Sequence, residues 1–348
     1  MLHSLKVNTL SNKIPWFGNH TGYEQMPLFL QKFQPDIQIS SPKPGMLERF
    51  IGKAYSSYRR WPPRNQNDAA AELRFFMAAQ KQQCINHILY LEDHLLFLDH
   101  WSKAPINFVG TIHLPPLQWN FSKLENLKRL SSAVILYQRD LEFFETYVGK
   151  NRVKFIHYGV DTDFFFPTNS QLTTKRILFA GHYLRNTLML HRIVLRLVEK
   201  YPDLSFDLLV PEHARKVDGL LQLSNHPAVT WHQKLSDESL RTLYRSSYLL
   251  LLPMNENGAS TAVVEAMACG LPIVTTNMGG IQDYGGNSIF PIVSNNDDDA
   301  TIDLIEQYLN QSDWRDEVAR RCREFAQKNL AWPLIAQKHL ETYESLTT

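Results

Sequence analysis

LLLLPMNENGASTAVVEAMACGLPIVTTNMGGIQDY, residues 249–284, reads as strand, loop, helix, strand, loop. Leu249–Leu252 has the length and apolarity of a buried strand, and Pro253, which has no ladder donor, stops it. The polar loop Met254–Gly258 leads to Ser260 or Thr261. Either can cap a helix whose apolar positions Val263, Val264, Met267 and Ala268 recur at helical spacing and which Gly270 and Pro272 end. Ile273–Thr276 is the next strand, and Gly279-Gly280 opens a second loop. Ligands of open parallel sheets lie outside the carboxyl ends of the strands, so the loops 255–261 and 277–283 should face one crevice. Glycine lets backbone approach closely, and N–H groups at a helix start point outward, which together suit a diphosphate. Glu265, one turn further in, is an acceptor-only carboxylate able to hold the vicinal hydroxyls of a ribose. An ordinary strand-turn-helix with a solvated glutamate would carry the same pattern.

The run Asn257-Gly-Ala-Ser-Thr-Ala-Val-Val-Glu265-Ala-Met-Ala-Cys-Gly-Leu-Pro272, followed by Gly279-Gly280, resembles the signature of glycosyltransferase family 4, the retaining transferases of group 1. The resemblance implies an α/β fold of the GT-B type, two Rossmann-like domains whose parallel sheets face an interdomain cleft. It implies an acceptor-binding domain at 1–168, a nucleotide-sugar-binding domain at 169–330, and a helix at 331–348 that packs back toward the first domain. Glu265 stands at the second signature glutamate and is implied to bind the donor ribose. The first, which contacts the donor sugar, is replaced by Asn257, with Glu256 adjacent and out of register. Gly258, Ala259, Ser260 and Thr261 are implied to meet the donor phosphates.

The bulk properties fit an ordinary soluble globular protein. With 348 residues, 44% hydrophobic and 20% charged, the chain can build two sizeable cores. A formal net charge of +1 gives no global field toward nucleic acid. The three cysteines, Cys84, Cys269 and Cys322, have no metal-ligand spacing, which suits a reducing cytoplasm and argues against a zinc site. The first residues read as too short and polar for a signal peptide, and no apolar run approaches the roughly 20 residues of a membrane span.

Elsewhere the pattern is weaker. Leu5–Leu10 reads as the first strand, and Gly18-Asn-His-Thr-Gly22 as a mobile turn beyond it that the family closes over donor phosphates or acceptor; Gly18 is the donor-side candidate. Lys53, Arg59, Arg60 and Arg64 lie among Tyr55, Tyr58 and Trp61, a mixture suited to lipid headgroups, an anionic acceptor or aromatic stacking on sugars, and equally to a solvated helix end with snorkelling arginines; 53–64 is where peripheral contact with the inner face of a membrane is expected. Ile85–Leu91 and Phe108–Thr111 read as buried strands. The second delivers Thr111-Ile-His113-Leu-Pro115, which is similar to a family run whose histidine lies near the reacting carbon. His113 is therefore the catalytic candidate of the first domain, with Glu92, Asp93 and His94 as weaker ones. Gly159–Pro167 is similar to the family's hinge, and Asp161 and Asp163 should shape that turn. After the strand Arg176–Ala180 the family carries an arginine and a lysine that neutralise the departing diphosphate. His182 and Thr187 stand at those positions here, so Arg185 is taken as the cation and His182 as a pH-dependent helper. Asn287–Val293 reads as a strand, and Asp297–Asp299 as a helix start rather than a metal cluster.

The expectation is a metal-independent, cofactor-free retaining glycosyltransferase of polysaccharide biosynthesis. It would take a nucleotide-diphosphate sugar as donor and a glycan, lipid-linked or small-molecule acceptor, with His113, Asn257 and Arg185 in catalysis. The alternative is a catalytically inactive nucleotide-sugar-binding partner subunit.

Overall fold

The computed structural model describes residues 5–11, 18–58, 65–79, 84–95, 107–168 and 174–347. Contacts divide the chain into two units, Met1–Pro15 with Tyr23–His157 and Trp332–Thr348, and Trp16–Gly22 with Tyr158–Ala331. The first contains β1 (Lys6–Leu10), α1 (Gln25–Phe33), β2 (Gln38–Ser40), α2 (Met46–Tyr58), α3 (Asn65–Ala79), β3 (Ile85–Ile88), β4 (Asn107–Ile112), α4 (Phe121–Asn126), β5 (Ser132–Ile135), α5 (Leu141–Val148) and β6 (Val153–Phe155). The second contains β7 (Arg176–Ala180), α6 (Thr187–Lys200), β8 (Ser205–Leu209), β9 (Val229–His232), α7 (Asp237–Ser246), β10 (Leu249–Leu252), α8 (Thr261–Ala268), β11 (Ile273–Thr276), β12 (Ile292–Val293), α9 (Asp298–Asn310) and α10 (Ser312–Phe325). The last helix, α11 (Trp332–Glu344), returns to the first unit.

Each unit is a six-stranded sheet, in the orders β2-β1-β3-β4-β5-β6 and β12-β11-β10-β7-β8-β9, with every pair parallel. The central strands β3, β5, β10 and β11 are buried at every residue, which is why they read as unbroken runs instead of alternating ones. The core of the first unit also holds polar side chains. His87 on β3 bonds Tyr343 Oη of α11 at 2.6 Å and Thr111 Oγ1 of β4 at 2.8 Å, and Tyr23 Oη meets His339 of α11 at 2.7 Å. Burial holds His87 well below the usual imidazole range and His339 at about 3, so both rings are neutral and act as hydrogen-bond pins for α11.

The contact boundary falls between His157 and Tyr158, ahead of the polar stretch near residue 168. The turn 158–167 is bonded to the second unit. Tyr158 N–H donates to Tyr284 Oη, Val160 N–H to Leu330 O, and Arg323 to the carbonyls of Thr162 and Phe165. Asp161 shapes this turn, its Oδ1 accepting from the N–H groups of Asp163 and Phe164.

Two expected strands are shorter than their apolar runs. β3 stops at Ile88, one ladder bond beyond it joins Leu89 N–H to Leu10 O, and Leu91–Asp93 then forms a tight helical turn closed by Asp93 N–H to Tyr90 O and His94 N–H to Leu91 O. The run Asn287–Val293 yields only β12, because Asn287 is left-handed (φ +63°) and its N–H closes a turn onto Phe290 O. Asp297 caps α9, accepting from Ala300 N–H, as the helix-start reading requires. Arg59, Arg60, Trp61 and Arg64 lie outside the described residues. No helix among those described is long and apolar enough to cross a membrane.

Candidate active site

In the second sheet the strand order reverses between β7 and β10, and the loops that leave these two neighbours stand at the topological switch point where open parallel sheets bind ligands. The two loops are bonded to each other there. Arg185 bridges to Met254, Asn186 N–H donates to Pro253 O, and Asn255 N–H donates to Leu184 O. This pairing brings the Arg185 guanidinium to the start of α8, where Nη2 donates to Ser260 Oγ at 3.2 Å. Its other bonds go to the carbonyls of Ala180 and Tyr183. Among the described residues no carboxylate pairs with it. Burial lowers its pKa to about 10, which leaves it charged at neutral pH. His182 lies below the ordinary imidazole value, through burial first and then the nearby His213 and Arg185, and so contributes no fixed charge.

Ser260 occupies the N-cap position of α8 without a side-chain cap bond, and its hydroxyl accepts from Arg185 instead. Asn257 is 4% exposed, and its Nδ2 has no hydrogen-bond partner among the described residues. Its backbone is pinned from the neighbouring loop, where Gly280 N–H donates to Asn257 O at 3.2 Å. Gly279 is left-handed (φ +59°), and a Cβ there would lie 1.6 Å from that carbonyl, so no other residue fits the turn. Glu256 Oε1 accepts from Asn257 N–H, which folds that acid onto its own loop.

Glu265 is not a solvated glutamate. It is 4% exposed, and burial raises its carboxyl to about 7 despite hydrogen bonds from Thr21 and Tyr244. Thr21 Oγ1 donates to Oε1 at 2.8 Å. The whole turn that carries Thr21 groups with the second unit: Asn19 N–H donates to Asp237 Oδ2 at 2.7 Å, and His20 meets Asp161 at 2.7 Å while stacking on Phe164. Gly18 lies so close to Asp237 that a Cβ would be 1.6 Å from Oδ1. Thr21, Tyr244 and Asp237 carried no signal in the sequence beyond the glycines that bracket the turn.

The other catalytic candidate, His113, follows β4 in the first unit. Its Nε2–H donates to Leu89 O at 2.7 Å, its ring stacks on Tyr90, and burial holds it neutral at about 4. Glu92, which reads as a solvated acidic turn or a weak candidate, is buried beneath this loop and accepts from the N–H groups of His113 and Leu114. Burial raises its carboxyl to about 7 as well. His94 is fully buried and neutral. No cluster able to hold a metal ion occurs among the described residues.

Residues 162–329 match the family described as glycosyl transferases group 1. Arg185, the Asn257–Thr261 loop and Glu265 fall inside the group 1 match, whereas Gly18, Thr21 and His113 precede it. Among curated proteins, a D-inositol 3-phosphate glycosyltransferase of Corynebacterium urealyticum is 24% identical over 248 residues, covering 63% of this chain and 58% of that protein. The chain thus spans less than two thirds of that relative's length. Among solved structures, the sucrose-phosphate synthase of Thermosynechococcus elongatus superposes with a TM-score of 0.76 at 16% identity, covering 99% of both chains. Anabaena HepE in complex with UDP and glucose superposes at 0.74 and 14%, covering 98% of this chain and 100% of that one. The architecture is GT-B, two α/β units each built on a parallel sheet.

Proposed function

We propose that this chain is a retaining glycosyltransferase that moves a sugar from a nucleotide-diphosphate donor to a hydroxyl of a glycan, lipid-linked or small-molecule acceptor. The observation that carries the reading is Arg185, a half-buried guanidinium without a carboxylate partner among the described residues, set against the first turn of α8. Such a cation beside helix N–H groups stabilises a diphosphate as its negative charge develops, and needs no metal to do so. In the step itself the bond from the anomeric carbon to the diphosphate oxygen breaks and the acceptor oxygen forms its bond on the same face. The acceptor's proton passes to the departing diphosphate. Asn257 Nδ2 lacks a hydrogen-bond partner and is suited to donate to an oxygen of the donor sugar, with a carboxylate or N-acetyl substituent the favoured kind. Glu265 takes the ribose hydroxyls by exchanging the Thr21 and Tyr244 hydroxyls for them. His113, neutral and fixed through Nε2–H, serves the acceptor side.

One observation favours the alternative of a nucleotide-sugar-binding partner without turnover. Thr187, where the family carries its lysine, donates to Asp218 O at the start of α6 and supplies no charge. Melting temperature against UDP, GDP, ADP, CMP and dTDP sugars in EDTA, followed by nucleotide release with candidate acceptors, separates the readings. The transferase reading expects a shift with one donor class and turnover that Asn257→Ala and Glu265→Ala both abolish. Binding lost in Glu265→Ala but never accompanied by turnover would leave the partner reading. No shift with any donor would overturn both.

A further inference from the structure

The helix α2 is amphipathic and has its apolar face turned outward. Met46 is 91% exposed, Phe50 72%, and Leu47, Ile51 and Tyr58 are exposed with them. At helical spacing these five side chains and Ala54 fall on one arc. The opposite arc, Glu48, Gly52 and Ser56, is the one buried. It packs on α3 through small residues, since a Cβ on Gly52 would lie 2.7 Å from the backbone nitrogen of Ala70. A helix docked for core stability would bury Leu47, Phe50 and Ile51 and leave glutamate and serine in water, and α2 does the reverse.

Charge selects the occupant of this face. Arg49 and Lys53 border the apolar arc and Lys43 precedes it, all exposed. The one acid of the helix, Glu48, is turned inward, where its carboxylate accepts from Gly45 N–H and pairs with Arg74. Glu72 of α3 is buried too. The outward surface is therefore apolar with a basic edge and no exposed acid on α2. This complements a bilayer interface bearing anionic headgroups, where apolar side chains enter the acyl boundary and lysine and arginine stay at headgroup level.

We infer that α2 is an interfacial helix that seats the first unit on an anionic lipid surface, with Met46, Leu47, Phe50, Ile51 and Tyr58 immersed and Arg49 and Lys53 on phosphates. The site is centred on the first turns of α2, ahead of the basic-aromatic stretch 53–64 with which it shares Lys53 and Tyr58, and it stands whether or not the transferase reading holds. The full chain is floated with vesicles of phosphatidylcholine containing phosphatidylglycerol, and with phosphatidylcholine alone. The expected result is co-flotation with anionic vesicles that weakens with salt, and little with neutral ones. Phe50→Ser with Ile51→Ser should lower partitioning about tenfold or more, and Arg49→Gln or Lys53→Gln about fivefold each, with melting temperatures unchanged because all four side chains are exposed. Failure of the wild-type chain to float with anionic vesicles at low salt, or equal flotation of the Phe50→Ser, Ile51→Ser variant, would overturn the inference. So would a stable dimer in sedimentation that this variant dissociates, because the face would then belong to a second copy.

Discussion

Glu92 in the first unit and Glu265 in the second are buried to the same degree, and burial raises both carboxyls from 4.5 to about 7. Their partners differ. Glu92 accepts from two backbone N–H groups, those of His113 and Leu114, so it holds a loop in shape and no ligand can replace its donors without unfolding that loop. Glu265 accepts from the hydroxyls of Thr21 and Tyr244, side chains that a sugar's own hydroxyls can displace. The same desolvation cost thus supports a scaffold in one unit and, on the reading proposed here, an exchangeable site in the other. A buried acid by itself does not mark a binding residue; the chemistry of what holds it does.

The largest effect should come from removing the Arg185 cation of the second unit. Arg185→Ala is expected to cut turnover about 100- to 1,000-fold with a near-wild-type melting temperature. Turnover within threefold of wild type would place the charge that meets the diphosphate elsewhere. Next in size is the turn that pins Asn257. Gly279→Ala should lower stability in urea unfolding by about 3 kcal/mol or more, since it combines a left-handed backbone with a Cβ inside the Asn257 carbonyl.

The carboxyl pair makes a prediction with a defined sign. Both folded values lie above the ordinary 4.5, so between about 4.5 and 7 the native chain holds more protons than the unfolded one. These two groups therefore lower stability as pH rises through that window, and the full cost is present above about 7. Glu92→Gln and Glu265→Gln should each flatten that fall and add about 1–3 kcal/mol at pH 8, measured by urea unfolding across pH. Saturating donor should alter the Glu265 contribution and leave that of Glu92 in place. A donor effect on the Glu92 contribution alone would reverse the assignment of scaffold and site. The smallest effect is expected from Thr21→Val, which loses one buried hydrogen bond, about 1 kcal/mol, and removes the competitor for Glu265. Donor affinity should hold or rise a few-fold. A tenfold drop would make Thr21 a ligand contact and not a competitor.

The two units also differ in how far they could be read beforehand. The elements from Leu249 to Thr276 match their expected bounds because every cue is local: an apolar run, a proline stop, a helical period and a terminating glycine. Glu265 could be singled out there as a candidate by its place one turn into the helix, and Asn257 by the resemblance alone, at the first signature position. In the first unit Ile85–Leu91 carried an equally apolar run, yet β3 ends at Ile88, and the chain closes into a helical turn through Asp93 N–H to Tyr90 O and His94 N–H to Leu91 O. No periodicity records that. The outward apolar face of α2 was equally hidden, since a hydrophobic period gives a stripe but not the side of it that meets the protein.

By itself the sequence determined the α/β class, the parallel strands, the glycine turn at Gly279-Gly280 and which residues were candidates to meet a diphosphate. These depend on neighbours within a few positions, where covalent geometry and side-chain type act directly. Only the tertiary structure decided that the Arg185 loop lies along the Met254 loop, that Thr21 reaches Glu265 across 244 positions of sequence, and that Glu92 is bound under the His113 loop. Those contacts follow from which strands become neighbours, and strand order is set by the packing of whole sheets, a sum over the chain that no local pattern contains.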